Sequence, residues 1–358
     1  MEVELYRIKD NGMKHVSVEK LQKYLDAEVF DFIKENVNRE GNLAVIDSDS
    51  VLNVDFLDEG LDGIINVHKI NDINRVNKYF QAVNDKLNDG GTIIGSVEIY
   101  CQRKKRILAK HHRFVSYPIF YFDFLLKRVF PKLKITQGLY FFLTRGLNRA
   151  ISRAEAYGRL YSCGFKITAD RDINNILYFA FRKVSKPMYD TEPTYGPFVK
   201  LRRIGKDGKY FNVRKFRTMY AFSEFLQEWV YEQNDLAEGG KFKDDPRITR
   251  YGSILRKLWL DEFPMFWNVF KGQVKIVGVR PLSEHYFQLY DKATQERRIK
   301  YKPGLVPPYY VDLPRTLKEI QDSEMRYLDA YDKNPFKTQW TYFWKAMWNI
   351  FVKRARSA

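Results

Sequence analysis

The chain has 358 residues, of which 45% are hydrophobic and 29% charged, with a formal net charge of +17 and a pI near 9.5. This length suggests about two domains with real cores, and two cysteines, Cys101 and Cys163, exclude a disulfide framework or a zinc finger built from cysteine pairs. The charge favours anionic partners, whether nucleic acid, anionic lipid or phosphorylated substrates.

The first residues, Met1–Arg7 (MEVELYR), lack a basic region followed by an apolar run, so no secretory leader is expected. No stretch approaches the roughly 20 apolar residues of a spanning helix, and any membrane contact is expected to lie along the surface. Gly63–Val67 (GIINV) reads as a short buried strand. Asn71–Leu87 predicts a helix, with Ile73, Val76, Phe80, Val83 and Leu87 on one face. An Asn-Asp-Gly-Gly break follows, and Thr92–Val97 reads as a second strand. A strand, a helix and a strand in that order predict a βαβ unit with parallel pairing. Ile151–Gly164 predicts another helix with a glycine stop, and Leu177–Val184 a closing strand.

The helix–Asp-Gly-Gly–strand passage resembles the later half of a class I methyltransferase, over roughly residues 60–185. That resemblance implies a glycine-rich cofactor loop after the first strand, where glycine lets backbone approach a ligand. Asn42–Ser50 (NLAVIDSDS) has no such loop, so methyl transfer is not expected and this half reads as a degenerate scaffold.

Within it, His112–Gly146 is rich in Phe, Tyr, Lys and Arg, and Tyr117–Phe130 (YPIFYFDFLLKRVF) is nearly continuous apolar surface with cationic punctuation. Such a segment serves equally as a core helix or as an interfacial one, its aromatics at headgroup depth; 113–147 is the candidate interface. Ser185–Gly196 (SKPMYDTEPTYG) is a linker, dividing the chain into residues 1–185 and 186–358. At the far end Trp340, Trp344, Trp348 and Phe351 recur on one helical face beside Lys345, Lys353, Arg354 and Arg356, a pattern that leans towards a membrane interface.

The chemistry-bearing region begins with a hairpin signal, Phe198–Ile204 and Tyr210–Met219 around Gly205–Gly208. Lys215 and Arg217 fall on one face of its second strand and suit a diphosphate, although a solvated basic face is the commoner reason for such a pair. In Leu260–Pro264 (LDEFP), proline is tolerated only in a first helical turn, so a helix is expected to begin near Asp261, with aspartate as a favoured cap and Gly272 as the stop. Asp261 and Glu262 would then lie at a helix start, where backbone N–H groups favour phosphate. Adjacent carboxylates there can divide nucleophilic attack and Mg²⁺ binding, though Asp-Glu is also a common cap without chemistry. Arg256, five residues earlier, and Arg280, at the end of a short apolar strand, add groups able to hold phosphate bidentately.

The order of seven motifs resembles the bacterial sugar transferase family, the monotopic polyprenyl-phosphate phosphoglycosyl transferases. They are Lys215–Met219 (KFRTM), Asp245–Gly252 (DPRITRYG), Leu255–Lys257 (LRK), Leu260–Pro264 (LDEFP), Asn268–Gly272 (NVFKG), Val277–Pro281 (VGVRP) and Lys302–Gly304 (KPG). The resemblance implies Asp261 as the nucleophile forming a covalent phosphosugar intermediate, Glu262 as the Mg²⁺ ligand, and Arg256 and Arg280 on the substrate phosphates. It implies a UDP-sugar donor, a polyprenyl phosphate acceptor, surface polysaccharide or glycoconjugate assembly, and a location at the cytoplasmic face of the bacterial inner membrane. The fold expected is α/β: a partial Rossmann-like sheet with helices, then a mostly helical α/β domain with a small sheet.

Three departures stand out. The family's hydrophobic re-entrant helix is replaced by the polar linker 185–196, the proline before its Arg-Pro pair by Val279, and its Gly-Trp pair by Leu305–Tyr309 (LVPPY). Membrane attachment is then expected from elsewhere, such as Tyr117–Phe142. The alternative function is a non-catalytic, membrane-associated assembly protein derived from a transferase. Nucleic-acid binding is not expected, since charge stands without a recognised motif. No oligomeric state is read from the sequence.

Overall fold

A computed structural model describes residues 22, 25–38, 41–188, 195–233, 236–237, 241–242, 245–353 and 355. Linker residues 189–194, and Arg354 and Arg356 of the C-terminal basic cluster, lie outside the described residues. The chain forms two compact units: Met1–Pro193 with Tyr220–Glu228, and Thr194–Met219 with Trp229–Ala358.

In the first unit, helix α1 (Ala27–Asn36) precedes strands β1 (Leu43–Ile46) and β2 (Leu61–Lys69), helix α2 (Val76–Lys86) and strand β3 (Leu87–Val97). Helices α3 (Tyr100–Lys110), α4 (Arg113–Phe124), α5 (Lys134–Thr144) and α6 (Arg153–Ser162) follow, then strands β4 (Phe165–Ile173) and β5 (Ile176–Lys183). The sheet order is β1-β2-β3-β5-β4. The first three strands are parallel, and β5 runs antiparallel to both β3 and β4. The βαβ unit is therefore present, with two shifted boundaries. The helix starts at Val76 rather than Asn71, because the Asn71 side chain donates to Glu98 O and accepts from Glu98 N, which holds that residue in a turn. The strand after it starts at Leu87, and the left-handed Gly90 (φ +82°) lies where the β2–β3 register shifts between the Leu61–Leu87 and Gly63–Thr92 pairs. Phe32 and Ile33 of α1 pack on Ile65, Ile94 and Ala180 of the sheet. Tyr79 and Phe80 of α2 and Tyr157 of α6 are buried in the same unit.

The second unit opens with the antiparallel hairpin β6 (Phe198–Ile204) and β7 (Tyr210–Phe216), as the spacing predicts. Helix α7 (Arg250–Lys257), a 3₁₀ helix (Leu260–Met265) and helix α8 (Phe266–Phe270) lead to a parallel pair, β8 (Lys275–Val277) and β9 (Gly304–Val306). Helices α9 (Leu317–Lys333) and α10 (Pro335–Phe351) close it. Val213, Met265, Val277, Leu305, Tyr327 and Ile350 share its core. Trp340, Trp344, Trp348 and Phe351 of α10 are all exposed. Among the described residues no helix is long and apolar enough to cross a membrane.

Candidate active site

Two backbone contacts in the second unit explain why glycine occurs in the motifs. A Cβ on Gly304 would lie 2.1 Å from Gly278 N, so only hydrogen at both positions lets β8 and β9 meet there. This fixes the turn at Arg280–Pro281 against the start of β9. A Cβ on Gly252 would lie 2.0 Å from Thr218 O, so α7 begins pressed on the strand end that follows β7. Thr249 caps α7 by accepting from Gly252 N at 2.9 Å, and its hydroxyl donates to Thr218 O at 3.0 Å. The buried Arg247 is held by Asp245 at 2.7 Å.

These contacts set the acids and the cations. Trp259 is left-handed (φ +59°) and precedes the 3₁₀ helix. Asp261 and Glu262 lie in that helix's first turn; the capping position belongs to Trp259, with no side-chain cap bond, so Asp261 is not the N-cap expected from its residue type. Indole Nε1 of Trp259 donates to Tyr310 Oη at 3.2 Å, a tertiary contact at the strained position. Glu262 is buried, and the Lys215 ammonium donates to its Oε1 at 2.6 Å. Asp261 is half-buried; burial first, then the neighbouring Glu262, pushes its carboxyl above the ordinary range, while Lys215 and Arg256 oppose the rise. Arg256 Nε donates to Thr218 Oγ1 at 2.9 Å, and burial lowers its guanidinium although Asp261 and Asp245 favour the charge.

Lys215, Glu262 and Arg280 line one cavity of about 360 Å³ together with Arg203, Ser283 and Tyr286. Three cations and one carboxylate around a single opening suit a diphosphate. Asp261, Arg256 and Arg217 are not among the residues lining it. The Asp261 and Arg256 charges act on one another, and Arg217, beyond the end of β7, donates through Nε to Gly196 O at 2.9 Å. Arg280 is positioned through its backbone: its N–H faces Glu324 Oε1 at 3.4 Å and its carbonyl accepts from Arg298 Nη2 at 2.6 Å. Arg203 was not anticipated from the sequence. Its signal is the alternation of β6, where it shares the face of Leu201, a residue packed on the core.

Among the described residues no group of three or more His, Cys, Asp or Glu side chains is gathered for a metal. Two adjacent carboxylates nevertheless suit Mg²⁺, which takes one or two of them beside water and substrate phosphates. The surface next to the acids is apolar: Ile254, Leu258, Leu260, Phe263, Trp267 and Phe270 are exposed.

Residues 187–353 match the family model described as bacterial sugar transferase. Over 105 residues the chain is 40% identical to a galactosyl transferase, CpsE, of Streptococcus agalactiae serotype III, a match spanning 29% of this chain and 23% of that one. It is 41% identical over 109 residues to the exopolysaccharide production protein ExoY of Sinorhizobium fredii, covering 29% of this chain and 48% of that one. An undecaprenyl-phosphate galactose phosphotransferase of Salmonella typhimurium is 36% identical over 94 residues, 25% of this chain and 20% of that one. The chain thus spans less than half the length of these relatives.

Proposed function

We propose that this chain, whose residues 187–353 form a domain of the bacterial sugar transferase family, moves a sugar 1-phosphate from a UDP-sugar to a polyprenyl phosphate. The observation that carries the reading is the setting of the paired acids: Glu262 is buried against Lys215 in a cavity that also holds Arg203 and Arg280, with Asp261 next in sequence. Relatives named for galactose phosphotransfer and for UDP-galactose–lipid carrier transfer support the same class of substrates.

In this reading an Asp261 carboxylate oxygen attacks the phosphorus that bears the sugar. The bond to the bridging oxygen breaks, and UMP leaves with that electron pair. A phosphate oxygen of the polyprenyl acceptor then attacks the same phosphorus and releases the Asp261 carboxylate. The product is a polyprenyl diphosphate sugar. Arg280, Arg203 and Lys215 hold the diphosphate and face the charge that develops on it, while Arg256 steadies Asp261 as an anion. Glu262 would hold Mg²⁺, which supplies charge neutralisation at the phosphates when bound. The exposed apolar residues beside the acids suit an acceptor whose tail lies in lipid, at the cytoplasmic face of the inner membrane, where nucleotide sugars and such a lipid meet. The product would initiate surface polysaccharide or glycoconjugate assembly.

The first unit serves in this reading as a degenerate methyltransferase-like scaffold; β1 runs into Asp47–Ser50 with no glycine-rich loop. Labelled S-adenosylmethionine should not bind it. The deciding experiment incubates the chain with a panel of UDP-sugars and Mg²⁺. UMP release and a phosphosugar adduct on Asp261, both lost in Asp261→Asn, are expected. Release from none of them would leave the non-catalytic assembly protein as the better account.

A further inference from the structure

We propose that the two-helix segment Arg113–Thr144 docks the first unit onto an anionic lipid leaflet. The carrying observation is inverted polarity. A helix on a water-facing surface turns charge outward and apolar residues inward; α4 and α5 turn many of their large apolar residues outward. Phe114 is 85% exposed, Ile135 96% and Phe142 84%, and Tyr121, Phe122 and Leu143 are exposed with them. Four charges of the same segment, Asp123, Lys127, Arg128 and Lys132, are instead paired within the unit. Asp123 accepts from Arg103 Nε at 2.6 Å and Nη2 at 2.8 Å, with Lys127 at 3.4 Å. The buried Glu155 takes Lys132 at 2.8 Å and Arg128 at 3.3 Å. The outward face is therefore not a misplaced core: its polar groups have been given partners on the other side.

Charge identifies the occupant. Residues 100–149 contain twelve Lys and Arg and one acid, Asp123, the residue turned inward. Lys105, Lys110, Arg113, Lys134 and Arg145, in the segment Arg113–Thr144 or within eight residues of it, are exposed. Exposed aromatics with exposed cations near them in sequence, and no exposed acid within residues 100–149, complement the headgroup layer of an anionic leaflet, and neither helix is long and apolar enough to span one. This deepens the transfer reading, since it brings the chain to the surface where its lipid acceptor resides, and its test is independent of catalysis.

The full chain carrying Cys101→Ser, which removes the exposed thiol and leaves the buried Cys163, is given a single labelling site by Phe122→Cys or Phe142→Cys. An environment-sensitive fluorophore at either position should shift to the blue with phosphatidylglycerol-containing vesicles and be quenched by brominated acyl chains. The response should weaken with pure phosphatidylcholine or added salt. A label at Leu52→Cys, exposed elsewhere on the unit, should not respond. The triple variant Phe114→Asp/Phe122→Asp/Phe142→Asp should lower the vesicle-bound fraction at least roughly tenfold and retain UMP release from a UDP-sugar. Silent labels at positions 122 and 142 overturn the proposal, whether the chain floats with the vesicles through another surface or stays in solution. Absence of UMP release from the parent chain would instead count against the transfer reading and leave the docking result standing.

Discussion

Lys215→Met tests whether the Lys215–Glu262 pair behaves as a buried unit. The ammonium lies 2.6 Å from Glu262 Oε1, with the two side chains 22% and 9% exposed. Methionine keeps the length and removes the charge, so a carboxylate is left in a buried place without its cation. Breaking a buried pair by removing one partner costs about 3–5 kcal/mol. The residual exposure of Lys215 lets water compensate in part and puts the expectation near the lower end, about 3 kcal/mol. Lys215→Met/Glu262→Gln, which removes both charges, should return to within about 1 kcal/mol of the parent, because no ion is then stranded. All six tryptophans fall between Trp229 and Trp348, so intrinsic fluorescence during urea unfolding reports the second unit alone. With a slope of about 1–3 kcal/mol per molar urea, the single variant should move the midpoint down by about 1–3 M. A single-variant loss below about 1 kcal/mol, or a double variant as unstable as the sum of its parts, would refute the reasoning.

Asp261→Asn should abolish UMP release and, at neutral pH, raise the unfolding temperature of the second unit. The folded state holds this carboxyl above its ordinary pKa, so the stability it contributes is complete at low pH and lost as pH rises through the raised value. The gain from asparagine should therefore shrink in melts recorded towards acid, and UMP release by the parent should fall off at a higher pH than an ordinary aspartate would give. Gly304→Ala should cost the second unit upwards of about 2 kcal/mol in the same urea assay, since its Cβ meets the Gly278 backbone and not a side chain able to move. Arg203→Ala should raise the KM for the UDP-sugar roughly tenfold or more, as expected for a lost charge-assisted bond of about 1.5–3 kcal/mol, with kcat changed less. Chelation with EDTA should stop UMP release, and added Mg²⁺ should restore it.

Local signals were legible where one element carries them. The βαβ order, the hairpin around Gly205–Gly208 and a helical start close to Asp261, signalled by Pro264, follow from periodicity and from proline and glycine chemistry. Contacts between distant segments left no such trace. Nothing in the spacing says that Gly278 and Gly304 touch, because the requirement arises only when β8 and β9 pair. Asp261 looked like a cap by residue type, yet the cap position went to Trp259, whose left-handed backbone accompanies a bond to Tyr310. Arg203 was hidden in a basic strand, where which cation turns towards the core depends on the packing of Leu201. The aromatic segment 113–147 was conspicuous, but its facing was unreadable: it is set by Arg103 and Glu155, which lie on other helices.

The nine residues Tyr220–Glu228 lie inside the span that matches the sugar transferases, yet they are folded as part of the first unit. There the Phe222 ring lies 4.5 Å from the Arg159 guanidinium, Gly158 leaves no room for a Cβ beside the Phe222 carbonyl, and Leu226 is wholly enclosed. Severing the chain at 185–196 would consequently yield two unequal products. The N-terminal product would present a vacated hydrophobic slot, and the C-terminal one would carry a sticky, homeless loop, so recombinant halves should precipitate unless this loop is grafted back or Phe222 and Leu226 are made polar.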